Sequence, residues 1–172
     1  MKAICAISIL LGLLSCGHGG DAKSKPPVQW TPEKSTNLNR ELAEEEELQI
    51  RLYLAHHTEL SMTQTGTGLR YFIYENGNGP KAEIGKIAQV SLVVKLMNGK
   101  MCYETKKKGV DEFEIDRSSI ETGIQEAIKL MEVGDKAKLI IPLHLAHGIS
   151  GDQDKIPPLS TLLVDVKFLG LK

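Results

Sequence analysis

Aromatic residues are scarce in this sequence: one Trp, four Tyr and three Phe make up 5% of 172 residues. The composition therefore offers little for a platform of stacked rings. An excess of charge is missing too. Lys and Arg number 21 against 22 Asp and Glu, a formal net charge of −1, so there is no basic field to attract phosphates, and no nucleic-acid partner is expected on charge. Gly at 16 and Pro at 7 stay below fibrous or low-complexity levels, while 41% hydrophobic and 25% charged residues describe a chain that buries a core. The length gives room for one ordinary domain and an appendage.

Cysteine is nearly absent as well, and its three positions are informative. Cys5 and Cys16 fall within or at the end of an N-terminal apolar stretch: Met1-Lys2 is a short positive start, Ala3 to Leu14 is almost wholly apolar, and Ser15-Cys16 is a small-residue exit. This reads as a secretory signal, too short to span a bilayer comfortably as a mature helix. The run Leu13-Leu14-Ser15-Cys16 resembles a bacterial lipoprotein processing site. That implies removal of residues 1–15 as a signal peptide, lipidation of Cys16, and a domain held in the cell envelope on the periplasmic side. An ordinary signal peptide ending near a cysteine, or a buried N-terminal helix, is the alternative. With Cys5 removed and Cys16 acylated, Cys102 is left as a free thiol and no disulfide forms within the chain.

Residues 16–37 mix Gly, Lys, Pro and Ser without apolar period and read as a flexible tether. Over residues 38–60 the pattern turns helical: Leu42, Leu48, Leu52 and Ala55 fall near helical spacing, widened by Ile50, Tyr53 and Leu54. Glu44 to Glu47 lies toward the start and Arg51, His56 and His57 toward the end, as the helix dipole favours. Four adjacent carboxylates point all round a helix, so the acidic run reads as a solvated face rather than a cation site, and the paired histidines likewise. The apolar stripe permits a dimer through this helix.

After a polar stretch from Ser61 to Gly68, strands are expected at Leu69–Tyr74, Gln89–Met97, Lys100–Glu104 and Glu112–Ile115, with Asn98-Gly99 as a tight hairpin turn. Thr122-x-x-Gln125 suggests a capping box opening a helix with Ile124, Ala127, Ile128 and Met131 on one face. Two more strands follow, over Lys136–Pro142 and along Leu162, Val164, Val166 and Phe168. The fold class is α+β: several antiparallel strands with one amphipathic helix across a face, a half-barrel pattern.

The segment Gly123-Ile-Gln-Glu-Ala-Ile-Lys-Leu-Met-Glu-Val-Gly-Asp-Lys-Ala-Lys-Leu-Ile-Ile-Pro142, with Leu145-Ala146-His147-Gly148 and Ile156-Pro157-Pro158 through Val164-Asp165-Val166, resembles the FKBP-type peptidyl-prolyl isomerases. The likeness covers residues 68–172 and implies an FKBP-like sheet wrapped on one short helix. A looser likeness is to gliding-motility-associated FKBP-type lipoproteins, which share the lipidated start, the helical N-terminal segment and a loop like Gly151 to Ile156. The implied activity is rotation of X-Pro amides in polypeptide clients, across a barrier of roughly 18–20 kcal/mol, with no bond made or broken. It calls for an apolar cavity and a few donors, with no cofactor and no metal.

Carried over position by position, the resemblance gives an altered pocket. Its aromatic positions fall on Leu92, Cys102, Ile124, His147 and Val164, its acidic one on Tyr103, while Phe113 keeps one wall aromatic. Ile120, Ile156 and the backbone N–H of Glu121 retain apolar and donor positions. The catalytic set so implied is His147, Phe113 and Glu121, with a pocket of Leu92, Cys102, Tyr103, Ile120, Ile124, Ile156 and Val164. An imidazole N–H of His147 would replace the missing tyrosine hydroxyl. His144 and His147 with Asp152 and Asp154 invite a zinc proposal, but no further Cys or His pair supports it. Weak isomerase activity and loss of tight macrolide binding are expected. A non-catalytic FKBP-like module binding an envelope or gliding-motility partner is the alternative.

Overall fold

The structure, a computed structural model, describes residues 31–105 and 109–172. The expected signal segment, the expected lipidation site at Cys16 and Lys106–Lys108 lie outside the described residues.

Helix α1 spans Pro32–His56. Its start is set by a cap rather than by the apolar stripe: Thr31 is extended, its hydroxyl accepts from the Lys34 N–H at 3.3 Å, and proline occupies the first turn. Residues 32–37, read from composition as tether, are therefore helical. The helix stops short of residue 60. The His57 ring stacks on Tyr53 with centroids 3.9 Å apart, and His57 Nδ1 donates to the Tyr53 carbonyl at 2.8 Å, so this histidine closes the helix end. Among the described residues no helix is long and apolar enough to cross a membrane.

Seven antiparallel strands follow: β1 (Thr63–Gln64), β2 (Arg70–Glu75), β3 (Ile87–Leu96), β4 (Met101–Glu104), β5 (Asp111–Glu114), β6 (Lys136–Ile141) and β7 (Leu162–Leu171). Their order is β1-β2-β6-β7-β3-β4, with β5 paired to the first half of β3. Alternation sets the inner face: Ala88, Val90, Leu92, Val94 and Leu96 from β3 meet Leu162, Val164, Val166 and Phe168 from β7 in one buried cluster. At the β3–β4 turn Gly99 takes φ +84°, a conformation glycine adopts without steric cost. β1 is a strand the polar pattern hides. Its two residues are exposed and pair only along the sheet's edge.

Helix α2 (Thr122–Lys129) lies on the inner face and buries Ile124, Ala127 and Ile128, with Met131 just beyond it. The capping box is not formed. The N-cap is Glu121, one residue earlier, and makes no side-chain cap bond. Gln125 instead reaches back: its carbonyl accepts from the Asp116 N–H at 2.8 Å, and its amide donates to the Ser118 and Ile120 carbonyls at 3.1 Å each. The amide that was to close the helix start holds the preceding loop in place.

The outer face is partly covered by α1. Tyr53 shares a cavity with Val93, Ile140 and Leu163 of the sheet, and Ile50 and Ile140 are buried apart from the main cluster. Polar contacts complete the docking. Arg70 donates to Glu47 at 2.6 Å, and the Glu46 carboxylate accepts from the Leu143 N–H at 2.7 Å and from the Thr161 hydroxyl. Half of the acidic run read as a solvated face is thus an attachment surface.

Candidate active site

The long connection between β6 and β7 carries His147, Asp152 and Ile156. It begins with a 3-10 turn, Leu143–Leu145, after which the Gly148 N–H donates to the Leu143 carbonyl at 2.8 Å and leaves His147 on the turn's shoulder. Further along, Asp152 organises its own neighbourhood: Oδ1 accepts from the Asp154 and Ile156 N–H groups at 2.9 and 2.8 Å, an Asx-type turn. Oδ2 accepts from the Tyr103 hydroxyl, which also reaches Asp154 at 3.3 Å. Next to it, Cys102 Sγ lies 3.6 Å from the Lys155 carbonyl, and Lys155 Nζ sits 4.6 Å above the Tyr103 ring. Two adjacent residues of β4 thus stitch the loop to the sheet.

These contacts perturb their members in opposite directions. Burial alone would raise the Asp152 carboxyl, but the Tyr103 hydroxyl, the two backbone N–H groups and nearby His147 outweigh it and hold the carboxyl at about 2. The hydrogen bond to Asp152 is the largest cause pushing the Tyr103 phenol up. Burial raises the Cys102 thiol, which leaves little thiolate.

At the loop's other side, His147 Nε2 lies 3.0 Å from Glu121 Oε1. A carboxylate can only accept, so Nε2 carries the proton and spends it on Glu121. This changes what His147 can offer. A second donor toward a substrate carbonyl would come from Nδ1 of the doubly protonated ring. The Glu121 backbone contributes differently: its carbonyl accepts from Ile124 and Gln125, while its N–H has no acceptor among the described residues. Gly123 lets this segment sit tightly on β6, since a Cβ there would meet Ile141 Cγ2 at 2.3 Å.

The apolar set belongs to the core cluster. Phe113, Ile124 and Ile156 expose 7%, 1% and 2% of their surface, and Ile120 is half-buried against the cluster they belong to. Leu92, Cys102 and Val164 lie in the same cluster at 7%, 4% and 2%. Leu92 and Val164 pack deep in the sheet, opposite Val166 and Val94. The structure therefore joins Glu121 to His147 and Tyr103 to the loop, and packs the aliphatic replacements into the core. Asp152 is the participant missed as a loop organiser; Gly-Asp-x-Asp, a turn signature, was its only local signal.

An antiparallel half-barrel closed on one short helix, with a long loop folded beside the helix's start, defines the class: the FKBP-like α+β domains. The family model described as FKBP-type peptidyl-prolyl cis-trans isomerase matches residues 79–169. Peptidyl-prolyl cis-trans isomerase FKBP15-3 of Arabidopsis thaliana is 31% identical over 143 residues, covering 83% of this chain and 99% of the relative. FKBP-type peptidyl-prolyl cis-trans isomerase FkpA of Buchnera aphidicola is 31% identical over 176 residues, covering 96% of this chain and 69% of the relative. The crystal structure of FkpA from Escherichia coli superposes with a TM-score of 0.66 at 28% identity, over 80% of this chain and 64% of that one. The chain belongs to the FKBP-type peptidyl-prolyl cis-trans isomerase family.

Proposed function

We propose that this chain isomerises X-Pro bonds in exported proteins slowly, as a folding helper in the bacterial cell envelope. A signal peptide over residues 1–15, a lipid on Cys16 and a tether that places the 68–172 domain in the periplasm make up the rest of the reading; the apolar N-terminal run ending in Leu-Ser-Cys supports it. The observation that carries the activity is the Glu121 N–H, which has no acceptor among the described residues and follows Ile120 at the edge of the core cluster that holds Ile124 and Phe113. An X-Pro amide loses its resonance as it twists, so an apolar wall and one fixed N–H favour the twisted form over the planar one. His147 and Glu121 hold each other at the rim, and Tyr103, Ile156 and Cys102 shape the far side.

Turnover is slow on this reading because the aliphatic side chains at the aromatic positions fill the core rather than grip a proline ring. The test uses residues 21–172 and a panel of X-Pro peptides, with cis-trans exchange followed by NMR. Exchange faster than the uncatalysed rate, reduced at least about tenfold by Phe113→Ala, is the expected result. The near-complete burial of Leu92, Cys102, Ile124, Ile156 and Val164 also favours a second reading, a non-catalytic module that binds an envelope or gliding-motility partner through its loops. A folded protein that leaves exchange at the uncatalysed rate would decide for that reading.

A further inference from the structure

We infer that Glu46 is a positioning residue for this site, a single carboxylate in α1 that clamps both feet of the loop bearing His147, Asp152 and Ile156. β6 ends at Ile141 and β7 starts at Leu162, so Leu143 and Thr161 are the loop's entry and exit. Both donate to the same oxygen, Glu46 Oε1, the Leu143 N–H at 2.7 Å and the Thr161 hydroxyl alongside it. Thr161 is buried, so its hydroxyl has little water to turn to if the carboxylate is withdrawn.

Packing does not substitute for the clamp. A cavity of about 350 Å³ lies between α1 and the body of the domain here, lined by Leu42, Gln49, Leu96 and Leu159 beside Glu46 and Thr161. Across that gap the loop's feet are held by polar contacts. The helix can hold them because it is itself fixed, one residue on by Glu47 on buried Arg70 and one turn on by buried Ile50. A charge-assisted bond from a fixed helix restrains the loop more than a flexible surface side chain would. The N-terminal helix thereby becomes a brace for the site, with Glu46 lying 97 residues before one foot of the loop and 115 before the other yet in direct contact with both.

The inference rests on the loop being part of the isomerase site, and the test separates the two. In residues 21–172, Glu46→Ala is compared with Glu46→Gln, whose side-chain carbonyl can still accept, and with exposed Glu45→Ala on the same helix. Glu46→Ala should lower the urea midpoint, because the Thr161 hydroxyl loses its partner, and should lower kcat/KM for an X-Pro peptide about tenfold under conditions where the variant is still fully folded. Amide exchange should quicken at Leu143 and also at Ile156, which does not touch Glu46. Glu46→Gln should restore both readouts and Glu45→Ala leave both unchanged. Unchanged exchange at Ile156 in Glu46→Ala, or failure of Glu46→Gln to restore it, overturns the clamp. If Glu46→Ala does not fold, Thr161→Val removes one foot alone, and unchanged exchange at Ile156 overturns the clamp there too. A parent chain with no isomerase activity would defeat the function proposed above, while the exchange readout would still decide the clamp.

Discussion

Asp152 and Tyr103 are 49 residues apart, and their contact defines how the loop meets the sheet. The Asp152 carboxyl binds its proton less readily in the folded chain, at about 2, than at its ordinary value of 3.8. Its contribution to stability is accordingly full above about pH 4 and is lost as the pH falls toward 2. Urea midpoints between pH 5 and 2 should fall for the parent chain and fall less steeply for Asp152→Asn, which cannot titrate. Equal slopes would show that the loop contact is not maintained in solution. None of this was legible locally, because a tyrosine standing where the family carries an acid shows a loss, and only the fold shows the acid returning from the opposite loop. The burial of Ile124 was better signalled: its place in an i, i+3, i+4, i+7 set marks it as core whatever its family counterpart does.

Among the elements, strands β3 and β7 were legible because each is half of a two-sided sheet and alternates strictly. The start of α1 was not, since the first turn is exposed and its signal is a Thr-Pro cap rather than an apolar period. The role of the acidic run also escaped pattern reading: Glu46 and Glu47 look like their neighbours until the sheet brings Arg70, Leu143 and Thr161 to them. The Arg70 side chain is 6% exposed while Glu47 remains 42% exposed, so removing Glu47 strands a buried guanidinium. Glu47→Ala should cost about 2 kcal/mol in urea unfolding, whereas Arg70→Met, which leaves no buried charge behind, should cost less. A larger loss for Arg70→Met than for Glu47→Ala would refute that account of how the helix is attached.

For the whole molecule, the sheet ends in short strands on both sides, two residues in β1 and four in β4, which leaves little open edge for another chain to extend. Its centre is the opposite case. β7 stands between β6 and β3 and joins two groups, β1-β2-β6 and β3-β4-β5, that share no other strand pairing. It is also the last strand in chain order. A chain stopped after Thr161 should therefore show no cooperative urea transition, since neither group can bury its inner face alone. During synthesis the two groups wait for residues 162–171, and the domain closes only when that segment clears the ribosome. Until then β6 and β3 each keep an unpaired edge where β7 belongs, and afterwards the two groups are one sheet.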